Sequence, residues 1–253
     1  MKAYTTVMLL DGIRFIGINL VKMNSTITLP TINDPQTICF AKDHARRYLA
    51  GNGRFAHLLG LESATDIAGR STPEFFGDDL VDRYDELDAA VASGMTFVDR
   101  FDQTANRFGE PIWWLYSRTY SAKSETIIGI SRELPRFAKS DTLYARLSQT
   151  TERIANTLSF PLSVKQLAEE AGCSVSQLDR DFTRILGVSP THYQSRLRVQ
   201  RAKDLIRDGM RFSEIAFDCG FADQSAFNRR FKAVTGLTPG EHRTQVDATA
   251  SGH

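Results

Sequence analysis

The stretch RFSEIAFDCGFADQSAFNRRFKAVTGLTP, residues 211–239, decides how the second half of this chain folds. Phe212, Ile215 and Ala216 recur at the three- and four-residue interval of a helix with one apolar face. Gly220 interrupts that run, and Asp223 is a side chain suited to cap a new helix. Phe227, Phe231 and Val234 then give the new helix its own apolar stripe. Gly236 suits the left-handed turn that closes a helix, and Pro239, after Thr238, fits the first position of the next. A helix pair joined by a short glycine turn is the helix-turn-helix unit.

The same grammar stands once before, in LSVKQLAEEAGCSVSQLDRDFTRILGVSP, residues 162–190. Val164, Leu167, Ala168 and Gly172 precede Phe212, Ile215, Ala216 and Gly220 by 48 positions. After a one-residue insertion, Ser176, Leu178, Arg180, Phe182, Gly187 and Pro190 match Ser225, Phe227, Arg229, Phe231, Gly236 and Pro239. Ser163 with Gln166, and Ser174 with Gln177, are capping-box patterns that open two helices of this first copy.

The second helix of each pair divides its labour by face. Leu178, Phe182 and Ile185 fall on one side, with Ser176, Asp179, Arg180 and Thr183 opposite. In the second copy Ser225, Asn228, Arg229 and Lys232 oppose Phe227, Phe231 and Val234. Short polar and bidentate side chains on a free helix face suit base edges in a major groove. One such helix would read equally well as a solvated face in an α-solenoid or a protein-binding bundle. Two in tandem, with arginine at the same place in each, favour DNA. Between them Thr191–Asp208 reads as a helix with Val199, Ala202 and Ile206 as its apolar stripe. Arg196, Arg198, Arg201, Lys203 and Arg207 dress the rest. It is either a solvated charged helix or a rigid spacer setting two reading heads one DNA turn apart, ~34 Å.

Residues 143–243 as a whole resemble the DNA-binding domain of AraC-type (AraC/XylS) transcription regulators. The resemblance rests on residues 162–172 and 211–221, on FNRRFK at 227–232 and on GLTP at 236–239. It implies two recognition helices entering successive major-groove segments, with double-stranded promoter DNA and RNA polymerase as partners. Carried across, the base-facing positions are Ser176, Asp179 and Arg180, then Ser225, Asn228 and Arg229, with Arg196 and Lys232 as further DNA contacts. Family members often carry larger or more basic residues where this chain has Ser176, Asp179 and Asp181. Two acids flanking Arg180 would repel phosphates, so the first unit is expected to bind more weakly or to read cytosine amino groups.

Composition agrees with an ordinary two-module protein. The 253 residues are 42% apolar and 24% charged, which excludes collagen-like, low-complexity and wholly disordered chains. The formal net charge is +1, so no global field announces a nucleic acid or a membrane. Residues 1–140 hold 16 Lys/Arg against 17 Asp/Glu and residues 141–253 hold 15 against 13, with bases concentrated between Arg180 and Arg207. Three distant cysteines, Cys39, Cys173 and Cys219, favour neither a disulfide scaffold nor a zinc site. Val7–Val21 is broken by Asp11 and Arg14, so it reads as neither a membrane span nor a signal peptide. A cytoplasmic protein is expected.

The first half has a different texture. Thr37–Lys42, Arg47–Ala50, Thr96–Thr104, Ile112–Ser121 and Thr126–Ser131 are rich in β-branched and aromatic residues and read as strands. Phe55–Leu61 and Asp79–Ala92 have helical spacing, the latter through Leu80, Tyr84, Leu87 and Val91. Strand, strand, short helices, longer helix and three strands is an order similar to the PAS domain. Lys42-Asp43, Asn52, Leu58-Leu59-Gly60 and GISREL at 129–134 support the likeness. A PAS domain implies sensing or homodimerisation; another compact α+β domain is the alternative. No ligand is identifiable. A flavin adduct lacks its cysteine beside Asn52, and haem would need His57 as axial ligand, although a packing role for His57 is the plainer reading. Trp113, Trp114, Tyr116 and Tyr120 read as core on one face and dimer contact on the other rather than as a ligand pocket.

No enzymatic motif appears. Glu169-Glu170 and Asp78-Asp79 are adjacent and point apart, while His44, His192 and His242 stand alone. A DNA-alkyl-transfer enzyme would need an activated cysteine. The expected plan is an extension over 1–33, an α+β PAS-like domain over 34–135 and a linker over 136–142. An all-α double helix-turn-helix domain over 143–243 and a flexible tail over 244–253 complete it. The function expected is a sequence-specific DNA-binding transcription activator controlled by a PAS-like sensory domain, with a purely dimerising first domain or a helical protein-interaction module as rivals.

Overall fold

The computed structural model describes residues 34–250 except Arg107, Ala122 and Lys123, and four short pieces nearer the N-terminus. Those pieces are strands β1 (Leu9–Leu10), β2 (Ile13–Arg14), β3 (Val21–Met23) and β4 (Thr26–Thr28). β1 pairs with β2, and β3 runs antiparallel to β4. The remainder of the extension expected over 1–33 lies outside the described residues. The chain forms two compact units that divide mainly between Leu134 and Pro135.

The first unit is built on a five-stranded sheet: β5 (Thr37–Lys42), β6 (Tyr48–Gly51), β7 (Phe97–Ala105), β8 (Pro111–Ser121) and β9 (Thr126–Glu133). Their order is β6-β5-β9-β8-β7, so the first and last strands in sequence meet at the centre. β9 is antiparallel to both β5 and β8. Every residue of β5 is buried, as a central strand requires. Phe40 lies opposite Gly129, and a Cβ there would sit 2.2 Å from the Phe40 ring, so glycine is what lets that ring lie across the sheet.

Between β6 and β7 come α1 (Gly53–Leu58), two 3-10 turns (Ala64–Ile67 and Thr72–Glu74) and α2 (Asp78–Ala92). Asn52 anchors this crossover. Its Oδ1 accepts from Phe55 N at 3.0 Å, capping α1, and from Cys39 N at 3.2 Å, while Nδ2 donates to the Thr37 carbonyl at 2.9 Å. Ile38, Phe40, Tyr48, Phe55, Ile67 and Trp114 form the core beneath. The Phe40, Tyr48 and Phe55 rings meet pairwise with centroids 5.3–5.6 Å apart.

The second unit is helical: α3 (Ser140–Asn156), α4 (Val164–Glu170), α5 (Val175–Leu186), α6 (Pro190–Arg207), α7 (Phe212–Asp218), α8 (Gln224–Thr235) and α9 (Pro239–Ala250). Two boundaries differ from expectation. α3 begins at Ser140, inside the stretch read as a linker over 136–142, and α9 carries residues 244–250 of the expected tail; residues 251–253 lie outside the described residues. Lys139 opens α3 in a left-handed conformation with no side-chain cap, so no capping residue announces its start.

The caps elsewhere follow the sequence. Ser163, Ser174, Ser189 and Asp223 each accept from the backbone N–H three residues on, and Gly187 and Gly236 end α5 and α8 at φ of 71° and 81°. The second copy shares its core with the far half of α6: Val199, Ala202, Leu205 and Ile206 pack with Ile215, Ala216, Cys219, Phe227 and Phe231. The spacer is therefore part of the fold, and the solvated-helix alternative does not describe it.

Candidate nucleic-acid interface

The two second helices, α5 and α8, present the faces their periodicity dictates. Leu178 and Phe182 are fully buried, as are Phe227 and Phe231. Ser176, Asp179 and Arg180 are exposed together on α5, and Ser225, Asn228, Arg229 and Lys232 on α8. A helix that buries one stripe against its unit and leaves a polar stripe outside can lie in a groove without losing packing.

The surroundings of the paired arginines differ. On α5, Arg180 donates to Gln177 Oε1 at 2.8 Å, and Gln177 Nε2 donates to Asp181 Oδ1 at 2.8 Å. Asp181 is buried and ion-paired to Arg146 of α3 at 3.1 Å. This corrects the sequence expectation that Asp179 and Asp181 both flank Arg180 at the surface. Asp181 belongs to the Leu178 and Phe182 face, and only Asp179 shares the outer one. On α8, Arg229 joins Arg230, Arg198, Ser195, Phe221 and Ala226 around a groove of about 410 Å³. No carboxylate lines it.

The basic dressing of α6 is uneven. Arg201 and Arg207 are exposed, but Lys203 is 3% exposed and lies inside the fold, contrary to expectation. The stripe Val199, Ala202 and Ile206 describes one buried side only, whereas α6 is covered on others too. The Arg196 side chain is 27% exposed and ion-paired at 3.1 Å. Arg198 donates from Nε to the Leu158 carbonyl at 2.7 Å and from a terminal nitrogen to Phe160 O at 2.8 Å. Beside these, Asp204 is buried. Burial pushes its carboxyl up to about 7 against the pull of Arg207 and Gln200.

Sequence reasoning missed one cluster in the first unit. Lys42, Asp88 and Arg118 are buried together: Asp88 takes Lys42 Nζ at 2.6 Å on one oxygen and Arg118 at 2.6 Å on the other. Lys42 also donates to Thr72 Oγ1 at 2.7 Å and sits 4.6 Å from the Tyr48 ring centre. Burial lowers the Lys42 ammonium's pKa, with Asp88 acting the other way. The cluster ties α2 to β5 and β8. The only sequence signal for it was a lysine closing an otherwise apolar strand.

Other expectations for this unit resolve plainly. Trp114 is in the core, donating from Nε1 to Thr104 Oγ1 at 3.0 Å, and Trp113 is buried as well. Tyr116 and Tyr120 are half-buried. His57 is exposed, so the packing role expected of it is not what the fold gives it. Among the described residues, no group of three His, Cys, Asp or Glu side chains could hold a metal. Burial pushes the Cys39 and Cys219 thiols up to about 12, the opposite of nucleophile activation. No helix among the described residues is long and apolar enough to cross a membrane.

Comparison with known proteins agrees with both geometries. Residues 33–134 match the PAS fold family and residues 167–245 a helix-turn-helix domain family. The chain joins a PAS-fold domain to an AraC-type helix-turn-helix domain. Over 105 residues the chain is 31% identical to the HTH-type transcriptional activator RhaR of Escherichia coli K12, across 41% of this chain and 36% of that protein. The chain thus spans just over a third of the length of the curated relatives it matches. Among solved structures, an AraC-type transcriptional regulator from Chromobacterium violaceum is 29% identical, covering 40% of this chain and 92% of its own, with a TM-score of 0.39. A DNA-binding transcriptional dual regulator from Escherichia coli K-12 is 25% identical, covering 41% and 93%, with a TM-score of 0.37.

Proposed function

We propose that this chain is a sequence-specific DNA-binding transcription regulator, working as an activator in the cytoplasm. The α8 face reads bases through Ser225, Asn228, Arg229 and Lys232, and the α5 face through Ser176, Asp179 and Arg180. Arg201 faces phosphates. The PAS-fold domain carries the sensing or dimerising role, and RNA polymerase is the partner that activation requires. One observation carries this reading: arginines at equivalent positions of a duplicated helix pair both stand outside, directly across from fully buried phenylalanines. A helix used only for packing has no need to repeat that outer residue.

The test is titration of the full chain against duplexes from its own upstream region. Each phosphate neutralised should contribute a slope of roughly −0.9 to the log–log dependence of affinity on salt. A steep decline between about 50 and 200 mM salt is expected. Binding that is flat over that range contradicts DNA as the partner.

A further inference from the structure

The two helix-turn-helix copies are joined by more than α6. The loop from α3 to α4 lies against the turn between α7 and α8. Ser159 Oγ donates to the Asp218 carbonyl at 2.6 Å, at the end of α7. From α6, Arg198 forks to the carbonyls of Leu158 and Phe160, and Gln194 adds a longer bond to Phe160 O at 3.3 Å. These carbonyls follow the end of α3 and need partners from elsewhere in the fold.

Gly220 marks how close this contact is. A Cβ at Gly220 would lie 2.6 Å from Leu158 O and 2.7 Å from Ser159 O, both backbone atoms. The equivalent glycine of the first copy, Gly172, has nearly the same backbone, φ 64° against 70°, but open space where its Cβ would stand. The left-handed turn explains both glycines. Only at Gly220 does a second requirement apply, because the loop leading into the first copy rests on it.

We infer that the junction of Arg198, Gly220 and residues 158–160 fixes the relative placement of the two recognition helices, making Arg198 a positioning residue. Two arms of its guanidinium already hold carbonyls, so a side chain that the sequence reads as one of the bases dressing the linking helix serves within the fold. Lysine cannot replace it, since an ammonium lacks the planar fork that grips two acceptors at once. The inference rests on the DNA-binding reading for its consequence, but the placement itself is measurable without DNA.

The first measurement uses the full chain with Cys173→Ser and spin labels at Thr183→Cys and Gln224→Cys, exposed positions on α5 and α8. One narrow distance distribution is expected. Arg198→Lys should broaden it, and Gly220→Ala should shift or broaden it. An unchanged distribution in Arg198→Lys overturns the inference even if Gly220→Ala fails to fold. The second uses duplexes selected by the wild-type chain from a randomised pool, with the two elements at selected spacing, moved apart by two base pairs, or present singly. Arg198→Lys should lose about tenfold on the selected spacing, as a linked pair loses effective concentration, and little on single elements. A uniform loss on all three, with a salt slope shallower by about 0.9 in Arg198→Ala, would make Arg198 a phosphate contact and contradict positioning. If the wild-type chain selects no duplex, the DNA reading fails while the distance measurement still decides the placement.

Discussion

The two helix-turn-helix copies follow one sequence plan and reach different surfaces. Both bury a phenylalanine at the same place, and both set an arginine opposite it. In the first copy that arginine is held by Gln177 beside exposed Asp179; in the second it borders a groove with Arg198 and Arg230. The turn glycines diverge likewise, one open and one pressed against a neighbouring loop. The two copies share the stripe that makes each unit fold and differ in the outer face and in the seating of each unit. The apolar residues answer to packing, which tolerates little change in volume, whereas an exposed face costs almost nothing to alter.

The strongest way to break the comparison is through the cores. Phe231 is fully buried, with Phe227 5.6 Å and His242 5.5 Å from its ring centre; Phe182 is equally buried but meets Tyr193 at 5.9 Å. Either phenylalanine changed to alanine should cost about 3–5 kcal/mol. Hydrogen exchange on the folded chain should show Phe231→Ala loosening α7–α9 before α4 and α5, and Phe182→Ala doing the reverse. Equal loss of protection in both copies from either variant would mean that they share one core.

The next effect concerns pH and falls on α6, whose far half belongs to the second copy. Burial raises the folded-state pKa of the Asp204 carboxyl to about 7, well above the ordinary aspartate range. A raised pKa means the folded state holds its proton longer than the unfolded state. The contribution to stability is therefore full below about 4 and is lost as pH rises toward 7 and beyond. On the order of a few kcal/mol is at stake. Asp204→Asn, which keeps the acceptor for Gln200 and Arg207, should be more stable than wild type at pH 8 and nearly equal to it at pH 4 in denaturant unfolding. A difference independent of pH would show that Asp204 does not titrate in this range.

The smallest effect is the most specific. Arg229→Ala should cost about 1–3 kcal/mol of DNA affinity and relax preference at one base position. Arg180→Ala should cost less, because its guanidinium must first leave Gln177 and approaches DNA next to Asp179. Both variants should keep their helical circular dichroism, since both sites face solvent. Affinities for single-base variants of a bound duplex provide the check. Equal losses that ignore sequence would demote both arginines to phosphate contacts.

How much of this could be read beforehand depends on where each residue's partners lie in the sequence. β5 over Thr37–Lys42 was readable because Ile38–Ala41 is an unbroken apolar run, as a strand covered on both faces requires. The helix-turn-helix boundaries were readable because serine, aspartate, glycine and proline act on their own neighbours. What failed depended on distant chain. Lys203 and Asp181 looked like surface charges because a one-face periodicity cannot show that a helix is covered from a second side. The Lys42–Asp88–Arg118 cluster joins residues 30 and 46 positions apart, beyond any local pattern. Arg198 was identified as basic, correctly, but its acceptors are carbonyls 38 and 40 residues upstream. The exposed stripe proposed to read bases, Ser176, Asp179 and Arg180 with Ser225, Asn228, Arg229 and Lys232, needed only the helical repeat for its exposure to be legible.

The central claim is that the two copies read DNA together as one rigid pair. Selection of randomised duplexes by the full chain, followed by sequencing, tests it most directly. The account predicts a two-part motif whose elements are centred about one helical turn apart, on the order of 10 base pairs. The element read by α8 should be the more strongly specified, and its information should vanish in Arg229→Ala. Enrichment of no motif, or of a single element whose selection is indifferent to Arg229, would contradict the account.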